Sequence, residues 1–196
     1  YININNEKMS KSLGNFVLTR ELLQKHDPRV IRFFMLSVHY RHPINFSEEL
    51  LNGAKNSFER IQTTYFNLEH RKQTSMNLTQ DNEQWLQKID EFNHQFTNVM
   101  DDDFNTANAI SVLFDVTKTA NLYLEEAQTS SEVLESFQTT IETILHVLGI
   151  SLEKETDLLD EDIEALIVER NEARKNRNFE RADEIRDLLK DKNIIL

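Results

Sequence analysis

Cysteine is absent from this sequence of 196 residues, and glycine and proline are scarce. Without a thiol the chain can form neither disulfides nor thiolate metal sites, and it has no cysteine nucleophile. Glycine occurs three times and proline twice, where average usage would give roughly 14 and 10. Because β-sandwiches and barrels need such turn residues at short intervals, this composition argues against them and predicts a mainly helical protein.

The sequence also lacks any apolar run of the roughly 18 residues that a membrane span needs, and no signal peptide precedes the predicted fold. We therefore expect a soluble, cytoplasmic protein. The first residue is Tyr1 rather than methionine, which we interpret as the start of a piece of a longer chain.

Negative charge dominates the chain, whose formal net charge is −12, but it is concentrated in the middle. Residues 1–72 carry 11 Lys and Arg against 7 Asp and Glu, residues 73–162 carry 3 against 19, and residues 163–196 carry 8 against 8. Because the middle segment would repel a polyanion, contacts with nucleic acid are expected at the two ends. The alternative is that the acidic helix faces only keep a bundle in solution.

The first third of the sequence predicts a strand followed by two short helices. Residues 1–4 alternate in polarity as a strand does, and Thr19 is expected to cap a short helix that ends near His26. Asp27 followed by Pro28 is a strong helix start. The apolar residues after it predict a deeply buried helix, which Pro43 ends.

Four longer helices follow, and their apolar stripes predict an antiparallel bundle. Ser47 is expected to cap the first of them, a polar loop covers residues 72–80, and Gly149 closes the last at the position where helices favour glycine. The inward residues of the four stripes are Leu51, Ala54, Phe58, Ile61, Tyr65 and Leu68; Trp85, Ile89, Phe92, Phe96 and Val99; Ile110, Leu113, Phe114 and Ala120 of a helix over 106–127; and Leu134, Phe137, Ile141, Leu145 and Leu148.

A final pair of helices is predicted near residues 163–175 and 179–191. An acidic linker over residues 152–162 precedes the pair, and residues 176–178 supply the turn between the two helices. Residues 193–196 (NIIL) contain three consecutive apolar residues and predict the beginning of a strand.

The clearest candidate for a functional site is the pentapeptide over residues 8–12 (KMSKS), which is followed by a glycine at position 14. Lys8 and Lys11 are three residues apart and are interleaved with the hydroxyl groups of Ser10 and Ser12. Such a basic loop suits a polyphosphate, because lysine ammonium groups neutralise negative charge on phosphoryl oxygens. The alternative is an ordinary exposed loop that happens to carry two lysines.

This pentapeptide is similar to the signature loop of class I aminoacyl-tRNA synthetases. Residues 27–33 (DPRVIRF) resemble the start of the helical domain that follows the catalytic domain in the cysteine, arginine and related synthetases. Two further motifs, residues 39–50 (HYRHPINFSEEL) and 100–107 (MDDDFNTA), distinguish better between these synthetases. In this order and spacing the motifs resemble bacterial cysteinyl-tRNA synthetases, and the resemblance extends over essentially the whole chain, including residues 182–187.

The resemblance implies an arrangement of domains. Residues 1–20 would be the end of a catalytic domain with its signature loop, and residues 21–151 a helical bundle that binds the stem and anticodon regions of tRNA. The acidic linker over 152–162 would lead to a C-terminal helical hairpin over 163–196, a truncated anticodon-recognition subdomain. The chain would therefore be the C-terminal portion of its parent protein.

The resemblance further implies a parent enzyme that activates cysteine with ATP and Mg²⁺ and then esterifies the 3′ end of cysteine tRNA. Lys8 and Lys11 would stabilise the charge that builds up on the phosphates, Lys11 would bind ATP, and Ser10 and Ser12 would shape the loop or donate hydrogen bonds. The nucleotide-binding domain and the zinc ligands of the family would lie upstream, so we expect the chain alone to hold no metal, to be a monomer and to be inactive.

Basic residues near both ends are the candidates for tRNA contact. Arg29, Arg32 and Arg41 could meet the tRNA stem, although salt bridges to acidic residues would explain them equally well. The late cluster could meet the anticodon end, or could only be the solvated surface of a hairpin; its members are Arg170, Arg174, Lys175, Arg177 and Arg181. Phe179 would either stack on a base or pack against the hairpin turn.

The acidic turn over residues 101–103 matches the first positions of a calcium-binding loop. Thr106 stands where such a loop needs glycine, however, and Val112 stands where it needs a bidentate glutamate. We favour a turn in which Asn105 or Thr106 caps the next helix, or one that organises a junction with the catalytic domain. His39 and His42 lack a third metal ligand nearby.

A second hypothesis for the whole chain is a stand-alone helical adapter that binds RNA or protein. The last hairpin resembles a short helical interaction motif of nucleotide-excision-repair proteins, which supports this alternative. An adapter has no physical need for two lysines placed to hold ATP phosphates, so the signature loop favours the ligase.

Overall fold

The computed structural model describes residues 1–75, 82–152, 158–175 and 178–191. Within these ranges the chain contains three short strands and eight helices, which confirms the mainly helical fold. It divides into two compact units, Tyr1–Leu152 and Glu153–Leu196. The finer division into four parts stays a prediction. None of the helices in the described ranges is both long and apolar enough to cross a membrane.

The secondary structure elements are numbered in chain order. The first unit contains β1 (Ile2–Ile4), β2 (Glu7–Lys8), α1 (Thr19–Leu23), α2 (Pro28–Leu36), β3 (Ile44–Phe46), α3 (Glu48–Lys72), α4 (Asn82–Asp101), α5 (Thr106–Leu124) and α6 (Ser131–Val147). The second unit contains α7 (Leu158–Lys175) and α8 (Phe179–Asp191).

The three strands form one small sheet in the order β2-β1-β3. Strand β1 runs antiparallel to β2, with Asn3 opposite Lys8, and parallel to β3, with Ile2 opposite Ile44. The strand at residues 1–4 was predicted, but β2 and β3 were not. Strands of two and three residues carry no periodicity of their own, and the partner of β3 lies some 40 residues away in the sequence.

Three of the predicted helix starts have the capping hydrogen bond that their residue types favour. The side chains of Asp27, Ser47 and Asn105 each accept a hydrogen bond from a backbone N–H two or three residues later. The prediction for Thr19 is wrong, because Leu18 is the N-cap and its side chain forms no capping bond. Thr19 is itself the first helical residue, and α1 ends at Leu23 rather than near His26.

The core lies between α2 and the bundle of α3 to α6. The predicted stripes are largely buried, but two apolar residues expected inside are exposed: Met35 by 43% and Phe114 by 37%. Only one side of α2 packs against the bundle, so Met35 faces outward while Phe33 is buried. The rings of Phe114 and Phe33 lie nearly perpendicular to each other, with 6.1 Å between their centroids, so Phe114 contacts the core although it is partly exposed.

The helix ends differ from the predictions in two places. Helix α5 stops at Leu124 rather than at residue 127, and α7 begins at Leu158 rather than near 163. Residues 158–162 are therefore helical although they were predicted as part of a linker, because carboxylates are favoured in the first turn of a helix. Helix α8 is confirmed at 179–191. The predicted strand at 193–196 and the turn residues 176–177 lie outside the described residues.

Gly149 closes α6 in the left-handed conformation, with a φ of +68°. Its N–H donates to the carbonyl of His146 (2.9 Å), and the N–H of Ile150 donates to Leu145 (2.8 Å), which is a Schellman motif. The guanidinium of Arg32 lies against this turn, where its Nε donates to the carbonyl oxygen of Leu148 (2.9 Å). A Cβ on Gly149 would lie only 2.7 Å from Nη2 of Arg32.

We expect Gly149→Ala to lower the free energy of unfolding by about 1–2 kcal/mol, since alanine is strained at positive φ and would displace Arg32. The matched control is Gly53→Ala within α3, where a Cβ meets no atom within 4 Å. That change should raise stability by about 0.5–1 kcal/mol, because glycine is unfavourable inside a helix. Guanidinium denaturation of both variants measures the difference, and equal effects would contradict the role given to Gly149.

Candidate functional site

The signature loop begins in β2 and ends in a tight turn. Lys8 is the last residue of β2, and the N–H of Met9 donates to Ile2 (3.1 Å), so the edge of the sheet holds the start of the loop. The N–H of Gly14 donates to Lys11 (3.2 Å) and closes the turn. Gly14 has a φ of +68°, a conformation in which a side chain would be strained.

Side chains within the loop bind its backbone. The amide of Asn15 accepts a hydrogen bond from the N–H of Ser10 (2.9 Å) and donates one to the carbonyl oxygen of Lys8 (3.3 Å). The hydroxyl of Ser10 accepts from the N–H of Leu13 (3.2 Å) and lies 3.0 Å from that of Ser12. Both serines therefore contribute to the shape of the loop, whereas their contact with a nucleotide stays a prediction. The contribution of Asn15 was not predicted.

Lys8 and Lys11 are exposed and form no ion pair with any residue that the structure describes. The ammonium group of Lys8 lies 6.0 Å from the centroid of the Tyr1 ring. Two unpaired cations on a loop with a defined backbone are suited to binding phosphate oxygens. Their predicted roles toward ATP rest on this arrangement and on the resemblance.

The second candidate region brings together the two discriminating motifs, over residues 39–50 and 100–107. The carboxylate of Asp103 accepts hydrogen bonds from the hydroxyl of Tyr40 (2.6 Å) and from Nη2 (2.9 Å) and Nε of Arg41. The Nε2 atom of His39 lies 3.7 Å from the same carboxylate. Hydrogen bonds from Arg41 and then Tyr40 hold the pKa of Asp103 well below its usual range, and the bond to Asp103 raises the pKa of Tyr40.

Backbone geometry at this turn is unusual. Asp103 and Phe104 are consecutive non-glycine residues with positive φ, +58° and +52°, and Asn105 then caps α5. The Asp103 carboxylate thus anchors the connection between α2 and β3 to the turn between α4 and α5. This arrangement fits the predicted cap, whereas a calcium loop would direct the carboxylate to a metal ion. The junction with the catalytic domain stays a prediction.

The three candidate arginines of the first unit all have partners within the protein. Arg29 pairs with Asp27 (Nη2 to Oδ2, 2.6 Å), and its hydrogen bond lowers the pKa of Asp27. Arg32 binds the end of α6, as described above, and Arg41 binds Asp103. Salt bridging, the alternative considered from the sequence, therefore occurs at Arg29 and Arg41, whereas Arg32 binds a backbone carbonyl. Contact of these arginines with tRNA stays a prediction.

In the second unit the candidate arginines fall into different environments. Arg181 pairs with Glu184 (3.0 Å) and Glu169 (2.9 Å), and these hydrogen bonds raise its pKa. Among the residues that the structure describes, the buried Nε of Arg170 has no hydrogen-bond partner and the exposed Arg174 has no ion pair. Arg177 lies outside the described residues.

Phe179 begins α8 and is 61% exposed, so most of its ring remains accessible in the second unit. It lies near Arg174 and the exposed Lys175 in the sequence. Whether the ring stacks on a base stays a prediction, because the turn residues 176–177 lie outside the described residues.

No group of three or more His, Asp or Glu side chains could hold a metal ion in the part of the chain that the structure describes. The chain also has no cysteine. The zinc implied by the resemblance therefore does not fit the residues present here.

Comparison with known proteins agrees with the motifs. A family model described as "tRNA synthetases class I (C) catalytic domain" matches residues 1–56, and one described as "DALR domain" matches residues 95–153. Curated relatives called cysteine–tRNA ligase match over the whole chain, with 68% identity in Oceanobacillus iheyensis, 64% in Geobacillus sp. strain WCH70 and 60% in Bacillus licheniformis. The chain spans 42% of the length of each of these relatives.

Proposed function

Since the chain belongs to the cysteine–tRNA ligase family, we propose that it supplies the helical, tRNA-binding part of such an enzyme together with its ATP signature loop. The whole enzyme would activate cysteine with ATP and transfer it to the 3′ end of cysteine tRNA. We expect the chain to act as a monomer in the cytoplasm, where tRNA is charged for protein synthesis.

The observation that carries this proposal is the signature loop, in which two lysines with no ion-pair partner in the described part of the chain extend from a backbone fixed by Ser10 and Asn15. In the activation step the cysteine carboxylate attacks the α-phosphorus of ATP, which forms the acyl adenylate and releases pyrophosphate. Negative charge builds up on the phosphate oxygens during this attack. Lys8 and Lys11 would stabilise that charge, and Lys11 is the residue that we assign to ATP.

Of the two metal ions that the resemblance implies, only Mg²⁺ has a place in this proposal. Mg²⁺ would accompany ATP, bound mainly by the phosphates and water, as is usual for nucleotide substrates. Zinc has no ligand set among the residues that the structure describes, so we assign no step to it here.

Binding of tRNA is proposed for the ends of the chain, where the charge balance permits a polyanion. The exposed Arg174 and Lys175 form no ion pair within the described ranges, and the exposed ring of Phe179 is available to stack on a base. The arginines of the first unit would contact tRNA only through the donors that their protein partners leave available.

The proposal predicts that this chain binds cysteine tRNA weakly and that the affinity falls as the salt concentration rises. Changing Arg174 and Lys175 together to alanine should reduce the slope of log K against log salt by about 1–2, since two phosphate contacts would be lost. Lys118→Ala, an exposed lysine of the acidic segment, is the control and should leave the slope unchanged. Binding that is independent of salt, or equal effects of both variants, would contradict tRNA contact at this position.

The ligase activity is tested in a chimeric ligase, in which this chain replaces the matching 42% of the Oceanobacillus iheyensis relative. The chimeric ligase should carry out cysteine-dependent exchange of pyrophosphate into ATP and should form cysteinyl-tRNA. A stand-alone adapter would still bind RNA but would not support these reactions in the chimera.

A further inference from the structure

We infer that Asn15 is a positioning residue for cysteine activation: its side-chain amide holds the signature loop in the shape that presents Lys11 to the phosphates. This inference rests on the proposed function, because it concerns the same loop. Asn15 itself lies after the KMSKS pentapeptide and would not touch the nucleotide.

Two hydrogen bonds carry the inference. The amide of Asn15 binds the backbone on both sides of Met9, by donating to the carbonyl of Lys8 (3.3 Å) and accepting from the N–H of Ser10 (2.9 Å). Only a side chain with one donor and one acceptor can form both bonds. An aspartate could accept from Ser10 but could not donate to Lys8, and an alanine could do neither.

The chain geometry explains why Asn15 reaches these groups. Gly14, at positive φ, reverses the chain after Lys11, so the next residue returns toward the end of β2. Asn15 is partly buried there, while Lys11 and Ser12 are exposed at the tip of the loop. The other hydrogen bonds of the tip lie within the tip itself: from the N–H of Leu13 to Ser10, from the N–H of Gly14 to Lys11, and between the hydroxyls of Ser10 and Ser12.

Among the residues that the structure describes, Asn15 is therefore the one whose side chain joins the tip of the loop to the end of β2. The bond from Met9 to Ile2 would keep β2 in place without it. Loss of the amide should consequently affect the position of Lys11 and leave the helical core unchanged.

The first test measures hydrogen exchange of the Ser10 amide in this chain. Asn15→Ala should speed exchange at Ser10 by about 10-fold, since its acceptor is removed, whereas Asn15→Asp should retain most of the protection. Asn52→Ala is the control, because Asn52 is an exposed asparagine of α3 far from the loop in the sequence. Unchanged exchange in Asn15→Ala would overturn the inference.

The second test is a double-mutant cycle in the chimeric ligase, with cysteine-dependent ATP–pyrophosphate exchange as the readout. Asn15→Ala should lower kcat/KM for ATP by about 10- to 100-fold when Lys11 is present, and by less than about 2-fold when Lys11 is already alanine. A general loss of folding would act equally in both backgrounds. Additive effects of the two changes would therefore overturn the positioning role.

The cycle also separates this inference from the proposed function. If Lys11→Ala alone leaves activation unchanged, the role proposed for the signature loop fails. If Lys11→Ala lowers activation but Asn15→Ala does not, the loop functions as proposed and the positioning by Asn15 is wrong.

Discussion

Replacing Lys11 with alanine in the chimeric ligase is expected to lower the rate constant of cysteine activation by about 100- to 1,000-fold. The lysine is exposed and unpaired among the described residues, so its ammonium group has no structural partner to lose. Its contribution should arise as charge builds up on the phosphates. Affinity for cysteine in the ground state should therefore change by less than about 2-fold.

Single-turnover formation of the adenylate, together with equilibrium binding of cysteine, measures these two quantities separately. Lys25→Ala is the matched control, because Lys25 is also exposed, carries the same charge and lies outside the signature loop. The control should retain full activity. A Lys11→Ala variant that loses adenylate formation and cysteine binding equally would contradict a role specific to the transition state.

The largest loss of stability is expected from Leu113→Ala, which should lower the free energy of unfolding by about 2–5 kcal/mol. Leu113 is fully buried in α5, among the side chains of the bundle core. Alanine would remove the three outer carbon atoms of the leucine side chain. Because α3, α4 and α6 pack against α5 and can collapse only in part, the change would leave a cavity.

The matched control is Leu122→Ala in the same helix, where the leucine is 52% exposed. Both changes replace leucine with alanine in α5, so helix propensity cancels and burial is the remaining difference. The control should cost less than about 1 kcal/mol. Urea denaturation of both variants measures the difference, and similar losses would show that α5 is not packed in the way described.

Several elements could be predicted because their causes are local. Asp27, Ser47 and Asn105 each bind a backbone N–H within three residues, so a short window of sequence contains the whole interaction. Gly149 is predictable for the same reason, since a helix end needs a residue that tolerates positive φ. Thr19 shows the limit, because a good capping residue is not used when the helix starts one residue earlier.

Burial was predicted well for the apolar faces of whole helices and less well for single residues. The period of the apolar positions identifies the face of a helix, but Met35 and Phe114 remain exposed. Their exposure depends on how much of that face the neighbouring helices cover. The placement of α2 on one side of the bundle is a property of the assembled unit and has no local signal.

For the functional motifs, too, the residues could be identified from the sequence but their long-range contacts could not. The pentapeptide with Lys8 and Lys11 is recognisable in the sequence, and so are the two motifs that contain Arg41 and Asp103. The ion pair between Arg41 and Asp103 is not, because its partners are 62 residues apart. The same holds for Arg32, whose guanidinium binds a carbonyl 116 residues away.

By itself the sequence determined the helical class, the helix caps at Asp27, Ser47 and Asn105, the signature loop and the resemblance to cysteinyl-tRNA synthetases, since these depend on composition, neighbouring residues and motif order. Only the tertiary structure decided which arginine and lysine side chains bind partners within the protein. Arg29, Arg32 and Arg41 bind protein partners, whereas Lys8 and Lys11 extend from a loop whose shape depends on Asn15. The physical reason is that a charged side chain pairs with whichever group the fold brings within a few ångströms, and that distance is set by packing.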